Sequence, residues 1–239
     1  MLSPETGDSG FDILCLLGRG IEQVAIGPNL VWRPTRYIER TTLEGRHTGI
    51  RDRSAAIDDD YSLIAGSNAI VMAGCHLLKR PDLLRENRLI IFAAGSPPYL
   101  SSRPELYLSE GQVMLERLRR ASPRSSFEHI ILERNQNTRD DMLETCGIAA
   151  SRGLTRVKAI TVAVHAARTQ AFAEAACHEI QNVFVKVESA EQILRDRYAN
   201  RHRCLEIMDR ANSSRAYSRT AERERHGLEA LRTGRYDIR

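Results

Sequence analysis

The chain of 239 residues has few lysines, few aromatic residues and no long apolar run. Only three of its 35 basic residues are lysines, and aromatic residues make up 5% of the chain. No stretch of about 18 apolar residues occurs, so the sequence predicts no membrane-spanning helix. Residues 1–10 are polar and acidic, and they lack the basic start and apolar centre of a signal peptide. We therefore expect a cytoplasmic protein with a flexible N-terminus.

Paired cysteines are also missing. The five cysteines are widely spaced and form no Cys-x-x-Cys pair, and three of them lie within apolar patterns. This distribution indicates reduced thiols in a cytoplasmic protein rather than disulfides. The acidic residues 58–60 are consecutive and do not face one point, so they indicate a helix start. The sequence therefore predicts no metal site.

Positive charge is concentrated at the C-terminal end. Residues 195–239 contain 12 arginines and 7 acidic residues, a net charge of +5, whereas residues 1–194 carry a net charge of −1. A basic tail can meet nucleic acid. Here, however, arginine alternates with glutamate over Glu222–Arg225, which favours a solvated helix face. We therefore expect no nucleic-acid partner, and we interpret residues 212–239 as a partly disordered basic end.

Apolar runs alternate with helical periodicities along the chain. Buried strands are predicted at Phe11–Leu17, Arg88–Ala94, Phe127–Leu132, Arg156–Val164 and Glu179–Val187. Helices are predicted at Tyr61–Arg80, Ser109–Ala121, Arg139–Arg152 and Ala190–Ala211, with another beginning near His165. This order predicts an α/β fold with a mainly parallel sheet of about five strands, helices on both faces and a C-terminal helical extension.

We expect one domain over residues 11–190, followed by a C-terminal helix and basic tail over residues 191–239. Segment 21–60 has no clear period and is rich in arginine. We interpret it as a surface insert with paired charges, and the alternative is a lid whose arginines hold an anionic group. The helix from Ala190 carries an apolar stripe that packs on the body or on a second subunit as a homodimer. The stripe consists of Ile193, Leu194, Tyr198, Leu205 and Met208.

Polar residues follow four of the predicted strands. They are Gly18–Gly20, Gly95–Ser96, Glu133–Thr138 and His165–Arg168. Because parallel strands end at the same edge of a sheet, we expect these clusters to form one ligand site. The same arrangement predicts that Glu133 and His165 lie in one cleft. Each cluster also has a purely structural interpretation: a glycine turn, a helix cap or a hydrogen-bonded histidine.

These turns, in this order, resemble the bacterial SanA/YdcF/ElyC family. That family has a strand ending in glycines, a Ser-Gly-Gly turn, a Ser-Glu helix start, a Glu-x-x-Ser-x-Asn-Thr motif and a Thr-x-x-x-His-x-x-Arg motif. The matching segments here are Leu17–Gly20, Ala94–Ser96, Ser109–Glu110, Glu133–Asp141 and Thr161–Arg168. Counted back from Asn137 and Thr138, Asn135 stands where the family usually has serine, and Glu133 lies one residue closer to that position than the family's glutamate does. Ser96 replaces the second glycine. The resemblance covers about residues 11–187, and the soluble YdcF-like branch is the more similar one.

The resemblance implies a Rossmann-like three-layer sandwich and S-adenosylmethionine as a cofactor. From their chemistry and their positions at strand ends, Glu133, His165 and Arg168 are candidate catalytic residues. The candidate ligand-binding residues are Gly18, Arg19, Gly20, Gly95, Ser96, Ser109, Glu110, Asn135, Asn137 and Thr138.

Three functions are compatible with these residues. The first is a transferase or binding protein for S-adenosylmethionine or a related nucleoside-type ligand, in which Glu133 accepts from ribose hydroxyls or an amine and Arg168 holds a carboxylate. The second is a phosphate or diphosphate hydrolase or transferase, with arginines stabilising charge and His165 or Glu133 as general acid or base. The third is a non-catalytic protein whose basic tail docks on a partner.

Overall fold

The computed structural model describes residues 10–26, 28–39, 63–80, 84–94, 109–135, 137–198 and 202–235. Within them the chain forms an α/β fold, in which a parallel sheet of five strands lies between two layers of helices. The predicted fold class is therefore confirmed. The N-terminus predicted to be flexible, residues 1–10, lies outside the described residues apart from Gly10.

Nine strands and seven helices follow one another in the described residues. The strands are β1 (Phe11–Leu17), β2 (Ile21–Ile26), β3 (Asn29–Pro34), β4 (Ile38–Glu39), β5 (Leu63–Ile64), β6 (Leu84–Ala93), β7 (Glu128–Ile131), β8 (Arg156–Thr161) and β9 (Phe184–Ser189). The helices are α1 (Ser67–Leu78), α2 (Glu110–Ala121), α3 (Thr138–Ser151), α4 (Ala163–Glu179), α5 (Ala190–Tyr198), α6 (His202–Asn212) and α7 (Arg215–Arg232).

Strand β1 lies at the centre of the molecule. All seven of its residues are buried, because both faces of the strand are covered by helices. Successive side chains of a strand point to opposite faces. Leu14 and Leu16 accordingly pack with α1 and α2, whereas Ile13, Cys15 and Leu17 pack with α3 and α4. The unbroken apolar sequence of β1 is what a parallel strand buried on both faces requires.

The strand order of the main sheet is β7-β6-β1-β8-β9, and all four pairings are parallel. The chain builds outward from β1 to β7, returns across the sheet through α3, and then adds β8 and β9 on the other side. The order therefore reverses between β1 and β8. In open α/β sheets of this kind, ligands bind outside the carboxyl ends of the strands at that reversal, the topological switch point.

Segment 21–60 is more regular than the sequence indicated. Strands β2 and β3 form an antiparallel hairpin, and β4 pairs with β5. The hairpin packs through Ile21 and Trp32 against Val113 of α2. Arg33 Nη2 of this hairpin lies 2.5 Å from Glu22 Oε1, a charge pair of the kind expected for a surface insert, whereas residues 40–60 lie outside the described residues. The helix that we predicted from Tyr61 begins only at Ser67, because Leu63–Ile64 forms a strand.

Three predictions for the C-terminal third of the chain are wrong. The strand predicted from Glu179 begins at Phe184, because α4 continues to Glu179. The single helix predicted over Ala190–Ala211 is two helices, α5 and α6. Their apolar stripe packs on the body of the chain, since Ile193, Leu194 and Met208 belong to the core beside α1. The end predicted to be partly disordered contains α7, an 18-residue helix.

None of the helices in the described residues combines the length and the apolar character needed to cross a bilayer.

Candidate functional site

The candidate site lies at the switch point between β1 and β8. The loop Gly18–Gly20 continues from the carboxyl end of β1, and α4 begins two residues after β8 ends, which places His165 in its first turn. The N–H group of Ala163 at the start of α4 donates to Glu191 Oε2 at 2.8 Å. That bond fixes the entry into α4 and hence the position of His165.

The backbone of the Gly18–Gly20 loop is bound to the protein itself. Gly18 N–H donates to the carbonyl of Ala93, and Gly20 N–H donates to Glu110 Oε1. Arg19 N–H donates to the Ser67 hydroxyl at 2.7 Å, and that hydroxyl donates to the same Glu110 oxygen at 2.8 Å. These three amides therefore serve the fold, and the Arg19 side chain lies beside Glu224, with Nη2 3.5 Å from Oε1.

Glu110 holds this loop against helix α2. Burial raises the pKa of its carboxyl group, and the hydrogen bonds from Ser67 and Gly20 oppose that shift. An added Cβ at Gly18 would lie 2.5 Å from both Ala94 Cβ and the Glu110 carboxyl carbon. Glycine at position 18 is therefore required by close packing of the protein on itself. Ser109 caps α2 by accepting from the N–H group of Gln112 at 3.1 Å.

A chain of polar contacts runs from Arg168 through Glu224 and His165 to Thr138; we call it the relay. Arg168 Nε lies 2.8 Å from Glu224 Oε2, and its Nη2 donates to Oε1 at 3.3 Å. His165 Nδ1 lies 2.7 Å from Glu224 Oε2, and His165 Nε2 lies 3.2 Å from Thr138 Oγ1. The relay thus joins α7, α4 and the first residue of α3.

The distances assign the protons of His165. A carboxylate only accepts hydrogen bonds, so the 2.7 Å contact with Glu224 requires the proton on Nδ1. The contact from Arg168 Nη2 to Nδ1 is 3.4 Å and is the weaker of the two. Nε2 is then an acceptor for the Thr138 hydroxyl. The structure therefore gives His165 the tautomer in which an orienting carboxylate holds one ring nitrogen and a hydroxyl faces the other.

His165 is neutral over the ordinary pH range. Burial lowers its pKa to about 4, with help from the charges of Arg19 and Arg168, while the hydrogen bond and charge of Glu224 oppose the shift. For Glu224, burial favours the neutral acid, but the His165 hydrogen bond and the nearby charges outweigh it, so its pKa is lowered. Arg19 Nη2 lies 3.5 Å from Glu224 Oε1.

Glu224 is the site residue that sequence reasoning missed. It was included in the end interpreted as loose, because that end is polar and its charges alternate. A helical signal was nevertheless present: Ser214 caps α7 by accepting from Tyr217 N–H. The buried positions Ala216, Thr220 and Glu224 then recur every four residues. A buried glutamate in line with a helix's packed face indicates a partner on the body.

Glu133 belongs to a second cluster, beside α2. Its Oε1 accepts from Gln112 Nε2 at 2.9 Å and from Ser109 Oγ at 3.3 Å. Its Oε2 takes no hydrogen bond from the described residues. Strand β7, which Glu133 follows, is separated from β8 by β6 and β1, a distance of about 14 Å at the usual strand spacing. Glu133 and His165 share the edge, but no contact joins them within the described part of the chain.

The loop between β7 and α3 extends from Glu133 toward the relay. Asn137 caps α3 by accepting from Asp140 N–H at 3.0 Å, and Thr138 follows as the first helical residue. Behind them, burial raises the pKa of Asp141 to about 7, and Asn135 opposes that shift while Glu110 adds to it. Asn135 Nδ2 and Asp141 Oδ1 nonetheless lack a hydrogen bond of good geometry among the described residues.

Of the other sequence-predicted positions, Gly95 and Ser96 lie outside the described residues. Thr161 Oγ1, at the carboxyl end of β8, is buried without a hydrogen-bonding partner in the described part of the chain. The described residues contain no group of three or more histidine, cysteine, aspartate or glutamate side chains arranged to hold a metal ion.

Comparison of the chain with protein-family models, with curated proteins and with solved structures finds no match.

Proposed function

We propose that this protein is an enzyme that acts on a small molecule at the switch point, with His165 as its acid–base group. The relay is the observation that carries this proposal. A neutral imidazole is held by Glu224 on one nitrogen and faces a hydroxyl on the other, at the edge where α/β sheets bind ligands. The Thr138 hydroxyl meets the otherwise unsatisfied acceptor of this buried ring, so both ring nitrogens have a fixed partner.

The ligand we propose is of nucleoside type, and S-adenosylmethionine is the first to test because the motifs resemble those of the YdcF-like branch. Glu133 fits such a ligand, since Oε2 takes no hydrogen bond within the described residues and would accept from ribose hydroxyls or an amine. The expected role of Arg168 fits less well. Arg168 does hold a carboxylate, but it is the protein's own Glu224.

Phosphoryl transfer, the second candidate, has weaker support from the geometry. It needs guanidinium groups directed at phosphoryl oxygens. Two nitrogens of Arg168 face Glu224 instead. A phosphorylated substrate would have to compete with that carboxylate for Arg168.

Two substitutions test the proposed site. Glu133→Gln keeps the shape and removes the charge, so ligand affinity should fall about tenfold or more if one buried hydrogen bond is lost. His165→Gln should abolish turnover while leaving the melting temperature within a few degrees of wild type. S-adenosylmethionine binding is measured by isothermal titration, and phosphate release is measured from a panel of nucleotides and sugar diphosphates.

The matched controls are Glu144→Gln, an exposed glutamate of α3, and His178→Gln, an exposed histidine of α4. Both should behave as wild type. Unchanged binding and turnover in Glu133→Gln and His165→Gln would place the site elsewhere. Absence of heat at millimolar S-adenosylmethionine would remove that ligand but not the role of His165.

A further inference from the structure

Thr138 is the first helical residue of α3, although threonine is more common at the capping position that precedes a helix. The cap of α3 is already supplied by Asn137, whose side chain accepts from Asp140 N–H. The Thr138 hydroxyl is therefore not needed to satisfy the helix, and its partner is His165 Nε2 at 3.2 Å. A threonine at the first helical position has no local reason to face a buried imidazole.

Thr138 is the most exposed residue of the three that are joined through His165. Thr138 is half-buried, His165 is 1% exposed and Glu224 is 8% exposed. The contacts run from the Thr138 hydroxyl to the His165 imidazole and from there to the Glu224 carboxylate. This is the order of nucleophile, base and orienting acid that activates a hydroxyl in group-transfer enzymes.

We propose that Thr138 is a nucleophile that takes an acyl group from a carboxylic ester or thioester, with His165 as its base and Glu224 as the residue that positions His165. This inference rests on the proposed function, because it uses the same histidine. It adds the covalent step and the substrate class.

The surroundings of Thr138 suit a single developing oxyanion. The N-terminus of a helix carries a partial positive charge and N–H groups without intrahelical acceptors. The Asn135 side chain, on the loop that leads into α3, is directed at Asp141, so the proposal assigns it no contact with the oxyanion. A phosphoryl group would bring more charge and would need arginine, but Arg168 faces Glu224. These features favour a carbonyl over a phosphoryl group.

The proposed step balances as follows. Thr138 Oγ1 forms a bond to the carbonyl carbon while its proton passes to His165 Nε2, and the carbonyl electron pair moves onto oxygen. That pair returns as the bond to the alcohol or thiol breaks, and the leaving group takes the proton from Nε2. Water then attacks the acyl-threonine, gives a proton to Nε2 and releases the acid, and Thr138 recovers its proton.

Active-site labelling of the full chain tests this step. The protein is treated with p-nitrophenyl acetate and, separately, with diisopropyl fluorophosphate, and adducts are located by peptide mass spectrometry. We expect one acetyl or one diisopropylphosphoryl group on Thr138. Thr138→Val should lower labelling at least 100-fold, and Thr138→Ser, which keeps the hydroxyl, should restore it. Thr155→Val, at an exposed threonine before β8, serves as the matched control and should label as wild type.

The role of the relay is tested by His165→Gln and Glu224→Gln, which should slow labelling of Thr138 about 100-fold and about tenfold. The charged groups facing His165 are Arg19, Arg168 and Glu224, so the labelling rate should fall to half near pH 4 rather than near pH 6.5.

No adduct on Thr138, or an adduct that forms equally fast in His165→Gln, would overturn the inference. If His165→Gln still abolished turnover in that case, the proposed function would survive without the covalent step.

Discussion

At the residue scale, Gly18 has the tightest surroundings of the candidate site. An alanine methyl there would overlap Ala94 Cβ and the Glu110 carboxyl carbon, both 2.5 Å away. We expect Gly18→Ala to lower the free energy of unfolding by about 1–3 kcal/mol, measured by urea denaturation.

Gly147→Ala provides the comparison for Gly18. It lies within α3, and the nearest atom to its added Cβ is Ile180 Cδ1 at 3.9 Å. Alanine is the better helix former, so this variant should gain about 0.5–1 kcal/mol. Equal effects at the two glycines would mean that the loop shifts freely and that Glu110 does not clamp it.

Individual roles were harder to predict than individual positions. The sequence placed Ser109, Asn137 and His165 correctly beside strand or helix ends, because capping preferences and strand ends are local signals. It did not reveal that Arg168 contacts Glu224, since that contact depends on how α7 packs against α4. Nor did it reveal that the Gly18–Gly20 amides are already bound, because Ser67 and Glu110 come from distant helices.

At the scale of elements, α7 contributes to both the fold and the site. Thr220 accepts from the N–H group of Ile64 at 3.0 Å, and Glu224 joins the relay. Glu224→Gln leaves Arg168 and Arg19 without their shared carboxylate. We expect it to cost about 3 kcal/mol of unfolding free energy, measured by urea denaturation.

Glu222→Gln is the control on the same helix, because Glu222 is exposed. It should change stability by less than about 0.5 kcal/mol. A chain ending at Ser213 should lose more stability than Glu224→Gln and should lose ligand binding as well. Retention of ligand binding after that truncation would contradict the role assigned to α7, and would instead support a tail that docks on a partner.

Elements with a clear apolar period were predicted well, and elements without one were missed. The β2–β3 hairpin turns at Pro28, a residue type common in turns, but its strands mix polar and apolar positions because only one side packs on α2. The α5–α6 pair was predicted as one helix because the apolar stripe continues across the break. Helix α7 was missed because its buried face contains threonine and glutamate instead of large apolar residues.

At the scale of the whole molecule, two buried groups oppose each other in the pH dependence of stability. The pKa of His165 is lowered from 6.5 to about 4 in the folded chain. Between these two pH values the unfolded chain therefore binds a proton at this residue, whereas the folded chain does not. Its contribution to stability is therefore lost as pH falls through this range. The pKa of Asp141 is raised from 3.8 to about 7 in the folded chain. Between these two pH values the folded chain keeps a proton on Asp141, whereas the unfolded chain releases it. Its contribution is lost as pH rises toward 7.

Substitutions should separate these two contributions. Relative to wild type, Asp141→Asn should become more stable as pH rises from 4 to 7, by roughly 1 kcal/mol per pH unit. His165→Gln should become less stable relative to wild type as pH rises from 4 to 6.5. The measurement is urea denaturation at intervals of half a pH unit, and each variant is the control for the other. Parallel difference curves would contradict the assignment.

The order of the strands could not be deduced from periodicity. The alternation of strands and helices specifies a parallel sheet, but either side of β1 is open to β8. We expected Glu133 and His165 to follow strands lying close together, whereas β7 is at one edge and β8 is beside β1. The connection from β7 through α3 to β8 crosses two strands of the sheet and sets this order. The same connection places Thr138, at the start of α3, beside His165.

Glu224 of α7 is contacted by Arg19 in the loop after β1 and by His165 and Arg168 of α4, and this has a consequence for synthesis on the ribosome. The parallel sheet is complete at Ser189, so the body can fold before α7 has been made. Arg168 and His165 would then lack their carboxylate partner until Glu224, 35 residues after Ser189, has been translated. Under the function proposed above, a chain released before α7 would have a folded sheet and no activity, and activity would begin when α7 docks.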